Sequence, residues 1–273
     1  MKFTDLAKPE AWQEFRSNGF LHLSNIIDPQ KVVDLREEAY QVFHDTDSIA
    51  HRAYRDKGRS GFTPPGVEGV ADKRADYGRQ FWDVHLDPES DATFCGHSRE
   101  LVRRMRHLTQ ELSTIMSGVF FYMDRGLGPM AHGLHAVMLK GNHGLRATHY
   151  PTTSPTLDGV LFPSHRDFSL VTVFVGGSEA GLQVDRSGEW HDLENPLGDI
   201  TILAGGMLRY WTGGPSHIGR IGGVRHRVMR ATSERLSFSF FTEPEPHTIL
   251  PYSNGVTAGE YISNFVTATR RPT

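Results

Sequence analysis

The sequence predicts a mainly β protein with flanking helices, its C-terminal half built as a jelly roll or small barrel. Three observations carry this. From about residue 134 onward, short apolar runs alternate with turn signals, the spacing of many short strands. Before that point, two segments repeat apolar residues at three- and four-residue steps, the period of helices with one buried face. No internal repeat, low-complexity tract or linker divides the 273 residues. The expected organisation is a single domain over 1–273. Its parts are a mostly helical region with a lid loop over 1–133, a jelly-roll core over 134–250 and a C-terminal segment over 251–273.

The elements follow in order. Residues 8–19 read as a short helix with Trp12 and Phe15 on one face and Gly19 as its stop. Phe20 to Ser24 reads as a strand. Asp28 caps a second helix with Pro29 at its first position, and Val32, Val33, Leu35, Ala39, Val42 and Phe43 form its apolar stripe. Residues 45–80 are polar and rich in Gly, Arg and Asp, and read as a long irregular segment; such loops in compact domains are often lids. Ser98 to Met123 is the clearest helix, capped by Ser98 and packed through Leu101, Met105, Leu108, Leu112, Ile115 and Val119. Leu145 to Pro151 reads as a strand ending in Tyr-Pro. Leu182–Val184 and Trp190–Leu193 flank the turn Arg186-Ser187-Gly188-Glu189 as a hairpin, and Gly198 to Gly206 is a strand ending in a turn. Val224–Arg230 and Arg235–Phe241 flank Ala231–Glu234 as a second hairpin.

Composition excludes several classes. Hydrophobic content of 38% and charged content of 22% fit a globular protein, and 29 Lys+Arg against 32 Asp+Glu is too balanced for a nucleic-acid or anionic membrane surface. No apolar run approaches the length of a membrane span. Cys95 stands alone, which excludes a disulfide framework, and Met1-Lys2-Phe3-Thr4-Asp5 lacks a signal-peptide core. A cytoplasmic protein is expected. No phosphate-binding fingerprint, G-x-S-x-G or CxxC motif is present, and the Gly-rich run Gly213–Gly223 contains Pro215 and opens no helix. It reads as a loop bordering the site.

The chemistry concentrates in His165, Asp167 and His226. His165 and Asp167, two apart at the mouth of a strand, point to the same side of the chain. Two His and one carboxylate are what a non-haem Fe(II) centre takes on one face, leaving the opposite positions open. A lone His-x-Asp recurs by chance; the later His226, followed by Arg235-x-Ser237 in an aromatic strand, raises this one. Arg235, Ser237 and Ser239 alternate with Leu236, Phe238 and Phe240. That pattern suits a solvated polar face, or one that lines a ligand space with its apolar face against the helices. Buried, Arg235 needs a carboxylate partner. Tyr150 either packs or donates a phenolic hydrogen bond inward. His132 and His135, three apart, lack an evident third ligand and read as structural.

At these residues the chain resembles the isopenicillin N synthase-like family of Fe(II)/2-oxoglutarate-dependent oxygenases. Asn18 to Leu23 looks like the family's early Gly-Phe strand, and Gly61–Glu68 followed by Gln80–Val84 looks like bacterial members. The resemblance implies a double-stranded β-helix (a distorted, cupin-like jelly roll) with helices outside. It implies His165, Asp167 and His226 as iron ligands, Arg235 and Ser237 as the grip on the far carboxylate of 2-oxoglutarate, and Tyr150 as a cosubstrate or substrate contact. Many members carry Asn-x-Tyr-Pro where this chain has Thr148-His149-Tyr150-Pro151. The implied activity uses Fe(II), 2-oxoglutarate and O2 to hydroxylate, desaturate or ring-close a small molecule, a polar natural-product intermediate of antibiotic-type metabolism. Asp167 argues against a halogenase. The alternatives are a 2-oxoglutarate-independent oxidase of the isopenicillin N synthase type and a non-catalytic metal- or ligand-binding jelly roll. Arg59, Phe62, Glu68, Phe81 and Trp82, with Arg146, Arg220 and Tyr210, are the candidates for substrate contact.

Overall fold

A computed structural model describes residues 1–45, 60–66, 78–86, 96–128, 131, 133–214 and 216–269. A 3-10 turn, Phe3–Ala7, leads into α1 (Pro9–Asn18). That helix buries Trp12 and Phe15 and ends where Gly19 takes a left-handed φ of 75° and returns its amide to the Phe15 carbonyl. β1 (Phe20–Leu23) follows, then α2 (Pro29–His44), whose Asp28 cap accepts from the Gln30 amide at 2.9 Å. β2 (Gly61–Thr63) and β3 (Gln80–His85) precede the long α3 (Gly96–Leu127) and short α4 (Leu134–Leu139). The remainder is β4 (Gly144–Tyr150), β5 (Val160–His165), β6 (Val171–Val175), β7 (Leu182–Arg186), β8 (Glu189–Asp192), β9 (Ile200–Ala204), α5 (Leu208–Trp211), β10 (His226–Met229), β11 (Arg235–Phe241) and α6 (Ala258–Thr269).

The strands form two antiparallel sheets. One has seven strands in the order β1-β9-β6-β11-β4-β3-β2, the other four in the order β5-β10-β7-β8. They face each other, since Phe174 of β6 meets the His226 ring of β10 at 5.7 Å. This is the mostly antiparallel, helix-flanked jelly roll expected from the alternating strands.

Register sorts the seven-stranded sheet into two faces, because residues directly opposite across a ladder share a face. Phe62, Trp82, Ala147 and Phe238 lie in one row. That row packs on the helices, with Phe43 of α2 against Phe62 and the buried stripe of α3 in the same apolar core. Asp83, Arg146, Ser239 and Phe174 lie in the opposite row, toward the smaller sheet. Burying both faces explains why β11, polar on alternate residues, is buried from Arg235 to Phe240.

Four expectations change. β2 and the start of β3 occupy part of the segment read as irregular. Ser98 lies inside α3 and is buried, so it is not the cap. The jelly roll starts at Gly144 rather than 134, because residues from 134 first form α4. The second hairpin does not exist: β10 pairs with β5 and β7, whereas β11 pairs with β4 and β6. Ala231–Glu234 instead carries the chain from one sheet to the other. The first hairpin stands, its turn residues Ser187 and Gly188 both at positive φ (54° and 92°), as a two-residue turn matched to strand twist requires.

Candidate metal centre

β5 ends at His165, and the chain then leaves the four-stranded sheet for β6 through 166–170, which carries Asp167. His226 opens β10 directly opposite His165 in the ladder, with the two ring centroids 4.2 Å apart. The loop is held by backbone contacts. Gly206 donates to the Asp167 carbonyl at 2.7 Å, Met207 to Ser169 at 3.1 Å and Gly205 to Leu170 at 2.8 Å. Gly205 permits this approach, because a Cβ there would sit 2.0 Å from the Ser169 carbonyl oxygen.

The side chains converge. One ligand atom from each of His165, Asp167 and His226 lies within 4.8 Å of the others. His165 Nδ1 donates to the Pro163 carbonyl at 2.9 Å and His226 Nδ1 to the Val224 carbonyl at 3.1 Å. Each contact leaves the Nε2 lone pair toward Asp167, the arrangement in which backbone carbonyls orient metal-binding imidazoles. The Nε2 atoms stand 3.5 and 3.6 Å from the Asp167 oxygens, too long for hydrogen bonds and suited to three donors around one ion. The Thr172 hydroxyl donates to Asp167 Oδ2 at 2.6 Å, and Ser169 lies 2.9 Å behind Thr172. Burial pushes the Asp167 carboxyl up. The facing His226 and His165 and the Thr172 hydroxyl outweigh it and hold the group well below the usual carboxylate range. Burial, then the neighbouring His165, pushes His226 down to about 4, so its imidazole is neutral, the form a metal binds. A 2-His-1-carboxylate set of this kind fits Fe(II).

Arg235 and Tyr150 face each other across the β11–β4 ladder on the inner face, 2% and 3% exposed. Arg235 Nη1 donates to Ser237 Oγ at 2.9 Å, and its buried Nε has no hydrogen-bond partner. No carboxylate among the described residues forms a salt bridge with it, and burial pushes the guanidinium down from its usual range. An orphaned, buried guanidinium beside a hydroxyl fits a ligand carboxylate. Tyr150 packs with Leu161, Phe162 and Val228, and Phe162 meets the His165 ring at 4.6 Å, so one apolar wall joins the two clusters.

The substrate candidates separate. Arg146 and Phe81 lie on the inner face: Arg146 stacks over Phe81 at 3.8 Å and near Phe241 at 5.7 Å, with Asp83 held at 2.9 and 3.2 Å. Phe62 and Trp82 lie on the helix side, correcting their reading as pocket residues; strand alternation turns them away from Phe81. Tyr210 of α5 is partly buried against Tyr261, and Arg220 is exposed, donating to the His217 carbonyl. Arg59, Glu68 and His132 lie outside the described residues. His135 faces Ser117 Oγ at 3.1 Å and serves packing. Sequence reading missed Thr172, Asp83 and Phe241, and also Phe168, which stacks on Phe241 at 6.1 Å. Thr172 and Phe241 within apolar strands carry no local signal of such a role, and Asp83 and Phe168 gain theirs only from Arg146 and Phe241, which are distant in sequence.

Residues 141–244 match the model of the 2OG-Fe(II) oxygenase superfamily. Thebaine 6-O-demethylase of Papaver somniferum is 27% identical over 155 residues, covering 55% of this chain and 41% of the relative. Isopenicillin N synthase of Amycolatopsis lactamdurans is 32% identical over 100 residues, covering 36% and 28%. The chain thus spans less than half the length of these curated relatives. A full-length Neurospora crassa protein crystallised in complex with alpha-KG superposes with a TM-score of 0.75 at 18% identity, covering 98% of this chain and 95% of that one. That likeness shows a shared fold. No helix among the described residues is long and apolar enough to cross a membrane.

Proposed function

We propose that this chain, whose residues 141–244 are a 2OG-Fe(II) oxygenase superfamily domain, is an Fe(II)/2-oxoglutarate-dependent dioxygenase that oxidises an unactivated C–H bond of a small molecule. The observation that carries the proposal is the His165–Asp167–His226 triad, with both Nδ1 atoms engaged by backbone carbonyls and both Nε2 atoms left for a metal. Fe(II) bound there supplies O2 chemistry in which 2-oxoglutarate leaves as succinate and CO2 and the substrate C–H is the second electron source. The chain's own residues do the positioning. His165, Asp167 and His226 hold the ion, and Thr172 fixes the Asp167 carboxylate. Arg235 and Ser237 take the far carboxylate of 2-oxoglutarate, with Tyr150 beside them. Arg146 and Phe81 present a cation stacked on a ring to the substrate side, and Tyr210, packed against Tyr261, is a further candidate for substrate contact.

Similarity to a thebaine 6-O-demethylase and an isopenicillin N synthase supports a small natural-product intermediate as substrate, in secondary metabolism of the antibiotic type. The outcome is a hydroxylation, a desaturation or an oxidative ring closure. A single domain over 1–273 does this work, supported by one apolar core cluster that runs from Leu6 to Ala258, and the lone Cys95 suits the reducing cytoplasm.

The test is an anaerobic titration of apo protein with Fe(II) and then 2-oxoglutarate. A visible charge-transfer band on adding 2-oxoglutarate is expected. Fe(II) binding without the band would favour the oxidase that draws all its electrons from substrate. No Fe(II) binding would sink the proposal.

A further inference from the structure

Three side chains unrelated to the triad meet on the helix side of the seven-stranded sheet. His44 is the last residue of α2, His149 lies on β4, and Glu234 immediately precedes β11. One ligand atom from each lies within 4.8 Å of the other two. His44 Nε2 stands 2.7 Å and His149 Nε2 2.8 Å from the same oxygen, Glu234 Oε2. Both imidazoles therefore aim one nitrogen at one point, and the carboxylate lies between them.

The surroundings fix the rings. The Tyr40 ring stacks on His44 at 5.6 Å with 26° between planes, and Phe43 stacks on His149 at 5.0 Å with 20°. His149 Nδ1 faces the Gln80 side-chain amide at 3.0 Å. As placed, Gln80 Nε2 donates to Nδ1 and the His149 Nε2–H donates to Glu234. An ion at Nε2 would displace that proton, and rotation of the Gln80 amide would then give Nδ1–H the carbonyl acceptor usual for metal-bound His. Access is open from one side. The His149 side chain is 2% exposed, whereas Glu234 is 30% and His44 53% exposed, leaving room for water as a further ligand.

We propose that His44, His149 and Glu234 form a second metal site, for Zn(II) or another nitrogen-preferring divalent ion, independent of the His165–Asp167–His226 triad. Two imidazoles, one carboxylate and a water make the four-coordinate set that Zn(II) takes at about 2.0–2.2 Å per ligand. The present nitrogen–oxygen distances are those of hydrogen bonds, so the cluster opens by roughly 0.6 Å, to the spacing of donors around a tetrahedral ion, and sheds its Nε2 protons when the ion enters. The exposed His44 at a helix end gives that freedom. The site is also placed to matter: Glu234 and His149 are the chain neighbours of Arg235 and Tyr150, which face inward across the same ladder. An ion here clamps α2 to the sheet behind those two residues.

The test counts bound metal. Wild-type apo protein is dialysed against Zn(II) and its content measured, beside His44→Ala and Glu234→Gln, with circular dichroism to verify folding. His44 and Glu234 are chosen because they are the accessible ligands; the buried His149 is left in place. Two equivalents are expected in wild type and one in each variant. The double variant His165→Ala/His226→Ala should hold one equivalent, and Co(II) in its place should show visible bands of four-coordinate intensity. Loss of that equivalent on adding His44→Ala completes the assignment. A triad-less protein that binds no Zn(II), or binds it equally with and without His44, overturns the second site. Neither result touches the reading of the triad.

Discussion

Arg235 lies directly opposite Tyr150 on the inner face of the large sheet, buried, with Ser237 Oγ 2.9 Å from its Nη1 and no partner at Nε. A guanidinium held this way destabilises the apo protein and is retained for what it binds. Arg235→Met should therefore leave the apo protein as stable as wild type or more stable, by about 1–3 kcal/mol. It should weaken 2-oxoglutarate binding by roughly tenfold or more, the loss of a charge-assisted contact of about 1.5–3 kcal/mol. Urea unfolding and titration of the Fe(II) form read the two effects separately. A large loss of stability with unchanged 2-oxoglutarate affinity would make Arg235 a structural residue.

Thr172 touches the triad only through Asp167, at 2.6 Å from Oδ2. It is a positioning residue. Thr172→Val keeps the shape of the strand and removes the donor, freeing the carboxylate to rotate and raising its proton affinity. Fe(II) affinity should fall by about 10–100-fold, the usual cost of losing an outer hydrogen bond to a metal ligand. Thr172→Ser should restore most of it. Equal Fe(II) affinity in Thr172→Val and wild type would assign Asp167's orientation to the backbone contacts with Gly206 alone.

How much of this was legible depends on which period a residue belongs to. Helix stripes and strand alternation are local, so α1, α2, α3 and the shared parity of Arg235, Ser237 and Ser239 can be read from spacing, whereas which face of that strand turns inward cannot. The His165–Asp167 pair is equally local, and His226 is legible through its company with Arg235. Strand partners are not local. Ala231–Glu234 has the composition of a hairpin turn, yet β10 and β11 belong to different sheets, because their partners lie far away in sequence at β5 and β4. Face assignment fails for the same reason at Phe62 and Trp82. A one-residue difference in parity sends them to the helices while Phe81 goes inward, and nothing local to 80–85 says which face holds the site. His149 carried no signal either, since its partners His44 and Glu234 come from distant segments.

That parity makes a test. Trp82 is fully buried among helix-side residues, so Trp82→Ala should cost about 3–5 kcal/mol of stability. Protein that remains folded should bind Fe(II) and 2-oxoglutarate as wild type does. Arg146→Lys, on the other face, loses the two-pronged contact with Asp83 and much of its stacking on Phe81. It should raise the KM for substrate with little change in 2-oxoglutarate affinity. Steady-state kinetics of the two variants beside their unfolding curves decide the matter; a Trp82→Ala protein with full stability would overturn the face assignment.

Stability should also depend on pH through buried imidazoles. Burial, the dominant cause, pushes His143 and His149 below the usual histidine range; burial and the facing His165 push His226 down to about 4, against the opposing pull of Asp167. In the unfolded chain these groups take up protons near pH 6.5. Between about 6.5 and 4 the unfolded state thus binds more protons than the folded one, and stability rises with pH. The contribution is complete above about 6.5 and is lost as pH falls toward 4, with His226 alone on the order of 3 kcal/mol. Asp167 adds nothing down to about pH 5, because its carboxyl is ionised in both states there; below that the unfolded Asp protonates while the lowered folded one does not, and this too favours unfolding. Urea midpoints of metal-free protein should therefore fall steadily from pH 7.5 to 5. His226→Gln, which cannot titrate, should flatten the slope, and Fe(II) should steepen it by binding only the neutral imidazoles. Equal midpoints at pH 7.5 and 5 in the metal-free protein would mean that water or a charge partner reaches these imidazoles and keeps them near their ordinary range.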